Sequence, residues 1–120
     1  MQKYQPANIT NWKAQARVQI INQLPGDWEL MGGAIKINKL RFIFPLLKNL
    51  SKKKEKLILD KVKPYCLKLT KPDLDNLEKA LWDVCNGIVY VDDSRIVEKH
   101  NITKEFGTVP RIELELEEIK

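Results

Sequence analysis

The sequence predicts an α/β (α+β) domain, a small mixed β-sheet with helices packed on it, and three patterns carry that expectation. Residues 9–23 and 74–88 place apolar side chains at helical spacing. Residues 32–44 and 111–119 alternate apolar and polar side chains as half-buried strands do. No internal repeat or low-complexity linker interrupts the 120 residues, so one domain spanning residues 1–120 is expected, with roughly two-thirds of its unfolded surface buried.

The first helix is read over NITNWKAQARVQIIN, with Thr10 as its cap, Trp12, Ala16, Val18, Ile20 and Ile21 as its apolar residues, and Pro25-Gly26 as its stop. In GGAIKINKLRFIF, Ile35 and Ile37 hold one phase and Leu40, Phe42 and Phe44 another. The one-residue shift predicts a strand with a bulge near Asn38. Ser51 is placed to cap a short basic helix in SKKKEKLILD. The two prolines of KVKPYCLKLTKP make that stretch extended or irregular, a surface excursion rather than core. The next helix has the clearest limits: Asp73 at the N-cap, an apolar stripe of Leu77, Leu81, Val84, Cys85 and Ile88, and Gly87 where a left-handed residue is wanted. IVYVDDSRIVEKHNITKE reads as strand, acidic break, strand, with Ile96, His100 and Ile102 in one phase. In RIELELEEI, Ile112, Leu114 and Leu116 face inward and Arg111, Glu113, Glu115 and Glu117 outward.

Composition narrows the function classes. No apolar run approaches the roughly 18 residues of a membrane span, and MQKYQPANIT lacks the features of a secretory signal, so a cytoplasmic protein without a membrane partner is expected. Cys66 and Cys85 are isolated, which argues against a zinc ribbon or disulfide framework and for buried apolar filler. His100, alone in a strand phase, is read as a packed or edge residue with no part in catalysis. The net charge of +5 is unevenly placed. Between Lys36 and Lys71 twelve Lys or Arg stand against Glu55 and Asp60, a net +10, so the remainder of the chain is net acidic. A block of that density either is a solvated lysine-rich surface or meets a polyphosphate backbone.

The acidic residues of KPDLDN follow directly after this block. A helix from residue 74 to 86 advances about 20 Å, and the extended residues 87–93 cover about 20 Å. If the chain folds back along the helix, one of Asp92 and Asp93 meets Asp73 and Asp75 at its start. Like charges gathered there repel unless a cation lies among them, and oxygen-only ligation favours Mg²⁺ or Mn²⁺ over zinc. Lys79 is four residues beyond Asp75, hence on the same face, either as a surface ion pair or as a cation for a phosphate. Trp82 continues that face. The bland alternative for the carboxylates is an N-cap and a polar turn. An EF-hand is excluded, because DLDNLE has no glycine at the sixth loop position.

KPDLDNLEKALWDVCNGIVYVDDSRIVE, followed by PRIELELEE, resembles the RusA family of phage-type Holliday-junction resolvases, whose pattern is (K/R)-P-D-x-D-N-x-x-K, then N-G, then Y-x-D-D-S-x-(I/V). The match is dense over residues 71–98 and looser over most of the chain. The resemblance implies that Asp73, Asp75 and Asp93 are metal-binding catalytic aspartates and that Lys79 is the catalytic lysine. It further implies an endodeoxyribonuclease that works with Mg²⁺, or Mn²⁺ in its place, as a homodimer that cuts four-way junctions in DNA recombination and repair. On this reading Lys52, Lys53, Lys54, Lys56, Lys68 and Lys71 hold DNA through its phosphates. Family members usually begin with an additional strand ahead of the segment resembling KYQP, and this sequence starts at Met1 just short of it. Two other readings fit the same residues: an incomplete relative that grips branched DNA without cutting it, and an interaction protein whose acidic pairs are punctuation.

Overall fold

A computed structural model of the chain describes residues 5–120. Helix α1 spans Gln5–Gln23, α2 Lys52–Leu59 and α3 Leu74–Cys85; strands are β1 (Ala34–Pro45), β2 (Ile96–Lys99), β3 (Ile102–Gly107) and β4 (Arg111–Ile119), with a one-turn 3-10 helix at Asp93–Arg95 ahead of β2. The α/β expectation is met. β1 is the central strand. Along Ile35–Ile37 it pairs parallel with β2, along Leu40–Pro45 parallel with β3, and along Ala34–Ile43 antiparallel with β4. Because Ile35 and Leu40 each have one partner on β4 and another on β2 or β3, the two short strands lie end to end on the same side of β1.

The bulge expected near Asn38 is present. The β1–β4 register runs Ile37↔Leu116 and then Lys39↔Glu115, leaving Asn38 as the extra residue. Its insertion lets Ile35, Ile37, Leu40 and Phe42 all face one side, where they form the core with Leu81, Trp82 and Cys85 of α3 and with Val89 and Tyr90. Ile20 and Leu24 reach this core from α1, and Leu114 and Leu116 from β4. Between α1 and the sheet an apolar groove of about 970 Å³ runs from Trp12 to Ile112. Cys66 and Cys85 are both free and buried, and burial pushes the Cys85 thiol up to about 11.

Four expectations need correction. Thr10 lies inside α1, which begins five residues earlier, and Val18 and Ile21 face solvent while Ala16 and Ile20 turn inward. The stripe follows the i, i+4 row that meets the sheet, not every apolar residue. Residues 88–90 form no strand, only single bridges from Tyr90 to Met31 and Asn86. The strand expected to run through His100 is broken there: Asn101 takes a left-handed φ of 53°, and its side chain donates to the Asn38 carbonyl, so the bulge on β1 is matched by a step in its neighbour. Finally, residues 66–68 are no mere excursion. Lys68 N–H donates to Lys104 O and Phe106 N–H to Cys66 O, so this stretch lines the outer edge of β3 and buries Cys66.

The other face of the sheet is built from charge. Register places Arg41 beside Thr103 and Glu113, and its guanidinium holds Glu105 through both of its oxygens at 2.8 and 2.9 Å and Glu113 at 2.8 Å. The Arg41 contact keeps the Glu105 carboxyl far below its usual range, at about 2. Lys36 and Lys39 likewise lie opposite Glu117 and Glu115. The acidic last strand therefore answers part of the basic segment, pairing Arg41 with Glu113 and Lys36 with Glu117.

Candidate active site

The site is assembled at the start of α3 because of what its sequence does to the backbone. Pro72 disfavours helix for the residue before it, Asp73 is extended at the N-cap (φ −72°, ψ 151°), and its carbonyl accepts from Leu77 N–H at 3.1 Å. The Asp73 carboxylate itself makes no capping hydrogen bond. The other end closes as expected, with Asn86 as C-cap and Gly87 at φ +78°, a conformation open to glycine without strain. Lys104 of β3 steadies the approach: its ammonium donates to the carbonyls of Thr70 and Pro72 at 2.8 and 2.9 Å, on either side of Lys71.

After Gly87 the chain turns back beneath the helix. Tyr90 is buried, its hydroxyl donates to Trp82 O at 3.2 Å, and burial raises its pKa with further contributions from Cys85 and Asp93. The two following acids then divide their roles. Asp92 Oδ2 accepts from Ser94 N–H at 2.9 Å, which caps the 3-10 turn, and the Ser94 side chain followed by its backbone N–H lowers the Asp92 pKa. Asp93 is left to face the helix.

There Asp75, Lys79 and Asp93 line one pocket of about 180 Å³ together with Glu78, Trp82 and Lys99. Asp75 and Lys79 stand at i, i+4 but form no ion pair, and among the described residues no side-chain hydrogen bond or salt bridge engages Asp75, Lys79 or Asp93. Asp73 is exposed at the helix start and is not part of the pocket wall. No three His, Cys, Asp or Glu side chains among the described residues converge closely enough to enclose a metal ion. Two carboxylates with free oxygens still suit Mg²⁺, which keeps several waters and takes one or two carboxylates plus substrate phosphates.

Sequence reasoning missed Glu78 and Lys99. Glu78 was within reach of it, three residues beyond Asp75 on the same face. Lys99, 21 residues from the Glu78 that it pairs with, carried no local signal. Trp82 is core in its body, only 6% exposed, and forms the pocket floor with what remains. The lysines named for DNA separate by environment. Lys52, Lys53, Lys54, Lys56 and Lys71 are all exposed, Lys56 also pairing with Asp60 at 2.9 Å, whereas Lys68 is half-buried over the rings of Phe44 and Phe106.

Comparison with known proteins adds the following. The family model described as Endodeoxyribonuclease RusA matches residues 1–117. A curated relative, the uncharacterized protein YqaN of Bacillus subtilis (strain 168), is 37% identical over 71 residues, 59% of this chain and 46% of the relative. The chain thus spans less than half the length of that relative. No solved structure matches the chain. Among the described residues no helix is long and apolar enough to cross a membrane.

Proposed function

The chain belongs to the RusA endodeoxyribonuclease family, and on that premise we propose that it is a Mg²⁺-dependent nuclease that resolves four-way DNA junctions, as a homodimer, in recombination and repair. The observation that carries this reading is the meeting of Asp75, Lys79 and Asp93, from two separate segments, in one pocket without pairing. Ionic side chains left unpaired beside one another are unfavourable in a resting protein and useful where a charged ligand enters.

Asp75 and Asp93 would hold the metal, joined by Asp73 from the helix start. Mg²⁺ when bound supplies activation of the attacking water and relief of charge on the phosphate oxygens. Lys79 sets its ammonium beside the scissile phosphate, offsetting the negative charge that grows there during displacement. Trp82 lines the pocket, and the buried Tyr90 holds its backbone by donating to the Trp82 carbonyl. DNA arms would be gripped from α2, whose first turn holds Lys52, Lys53 and Lys54 behind a Ser51 cap (Oγ accepts from Lys54 N–H at 3.2 Å). Positive charge at a helix N-terminus opposes the dipole by about 0.3–1 kcal/mol per residue, so these lysines fit phosphate contact better than helix stability. The apolar groove between α1 and the sheet offers the second copy a surface to cover.

A second reading, a module that grips branched DNA without cutting it, draws on the position of Asp73 outside the pocket. A synthetic four-way junction incubated with and without Mg²⁺ separates the two. Paired nicks only with the metal are expected; retention without nicking supports the second reading, and absence of association overturns both.

A further inference from the structure

We propose that Lys99 is a second phosphate-contacting cation of the pocket, held ready by Glu78; this rests on the nuclease reading above and names a substrate contact within it. Lys99 ends β2 and reaches the pocket from the wall opposite in sequence to α3. Its Nζ donates to Glu78 Oε1 at 2.8 Å and lies 5.9 Å from the centroid of the Trp82 ring.

The chemistry of the pocket favours it. Among the described residues, Lys79 and Lys99 are the two cations that line a pocket otherwise walled by Trp82 and the carboxylates of Asp75, Glu78 and Asp93, and a phosphodiester entering there meets cationic donors only on those two. The Glu78 side chain is only 13% exposed while that of Lys99 is 46% exposed, so the pair has a sheltered acid and an accessible cation. An ammonium carries three donors, and Glu78 occupies one. The others are available to a nonbridging phosphate oxygen. The Trp82 face fixes the height of the ammonium without consuming a donor, as ring faces do for cations. Glu78 is thus a positioning residue, and Lys99 the group that touches substrate.

The test uses the full chain and a synthetic four-way junction, with cleavage measured in Mg²⁺ and binding in EDTA across a salt series. Lys99→Met keeps the stem over Trp82 and removes the charge. It is expected to lower kcat/KM by at least about tenfold and to flatten the slope of log Kd against log salt by about 0.9, the change for one lost phosphate contact. Lys99→Arg restores the slope and most of the activity. Glu78→Gln, which frees Lys99 and removes a repelling charge, binds the junction more tightly but lowers kcat. A purely structural Lys99 would leave the salt slope unchanged. Wild-type cleavage with an unaltered Lys99→Met slope and kcat/KM overturns the inference and spares the nuclease reading. Wild-type binding without cleavage overturns the nuclease reading, and the slope still decides Lys99. If the wild type does not bind, both fail.

Discussion

Arg41 and Asp75 belong to opposite sides of the sheet and are treated in opposite ways. Around Arg41 every charge is answered: Glu105 through two hydrogen bonds, Glu113 through one, and Arg111 behind Glu113 at 2.7 Å. Around Asp75 one pair forms, Lys99 with Glu78 at 2.8 Å, while Asp75, Lys79 and Asp93 share the pocket without pairing. Both arrangements have the residues for ion pairs. What differs is how the backbone presents them. Register on β1 aims Arg41 between two strands, whereas the helix start and the turn at Asp93 hold side chains around a space. On the proposed reading, the pairs around Arg41 serve the fold and the unpaired charges beside Asp75 are kept for a ligand.

The strongest attempt to break this contrast is Asp75→Asn. Cleavage of a four-way junction should fall by at least about a hundredfold, while thermal stability holds or rises and junction binding is retained or tightens, because a repelling charge has gone. A variant that unfolded instead would place Asp75 with the structural charges. Arg41→Met is the mirror experiment. Leaving two carboxylates unpaired on a half-buried face should destabilise the domain by about 3 kcal/mol in urea titration, with specific activity of the folded fraction unchanged.

Acid sharpens the same line. The folded pKa of Glu105 is depressed to about 2 from an ordinary 4.5, so the stability it contributes is present above pH 4.5 and is lost as the pH falls toward 2. Denaturation curves across that window should show a loss on the order of 2–3 kcal/mol, which Glu105→Gln flattens. The smallest expected effect belongs to the exposed basic helix. Changing Lys52, Lys53 and Lys54 together to Ala should weaken junction binding and reduce the salt slope by roughly 2–3, leaving kcat at saturation intact, as read by filter binding and single-turnover cleavage.

Local chemistry was legible in the sequence. The cap at Ser51, the bulge at Asn38, and the limits of α3 at Asp73 and Gly87 follow from residue types that act within a few positions. The meeting of Asp75 with Asp93 was expected from helix rise and chain reach, but Asp73, expected in the same cluster, stands outside the pocket, and the expected return as an extended strand is a turn through residues 87–89. Long-range pairing was not legible. Nothing near Arg41 announces Glu105 or Glu113, 64 and 72 residues away, and part of what was counted as one basic block is answered once β4 lies beside β1. The break at Asn101 was hidden for a related reason: the alternation of Ile96, His100 and Ile102 continues through it, and only the bulge on the neighbouring strand requires the step.

The two segments that carry Asp75 and Asp93 meet over Trp82, whose carbonyl accepts from the buried Tyr90 hydroxyl, and Lys104 ties the approach to the helix from the sheet through backbone carbonyls. None of these supports depends on the acids or on Lys79. The cavity is therefore a mould cast by its surroundings rather than by the charges it displays.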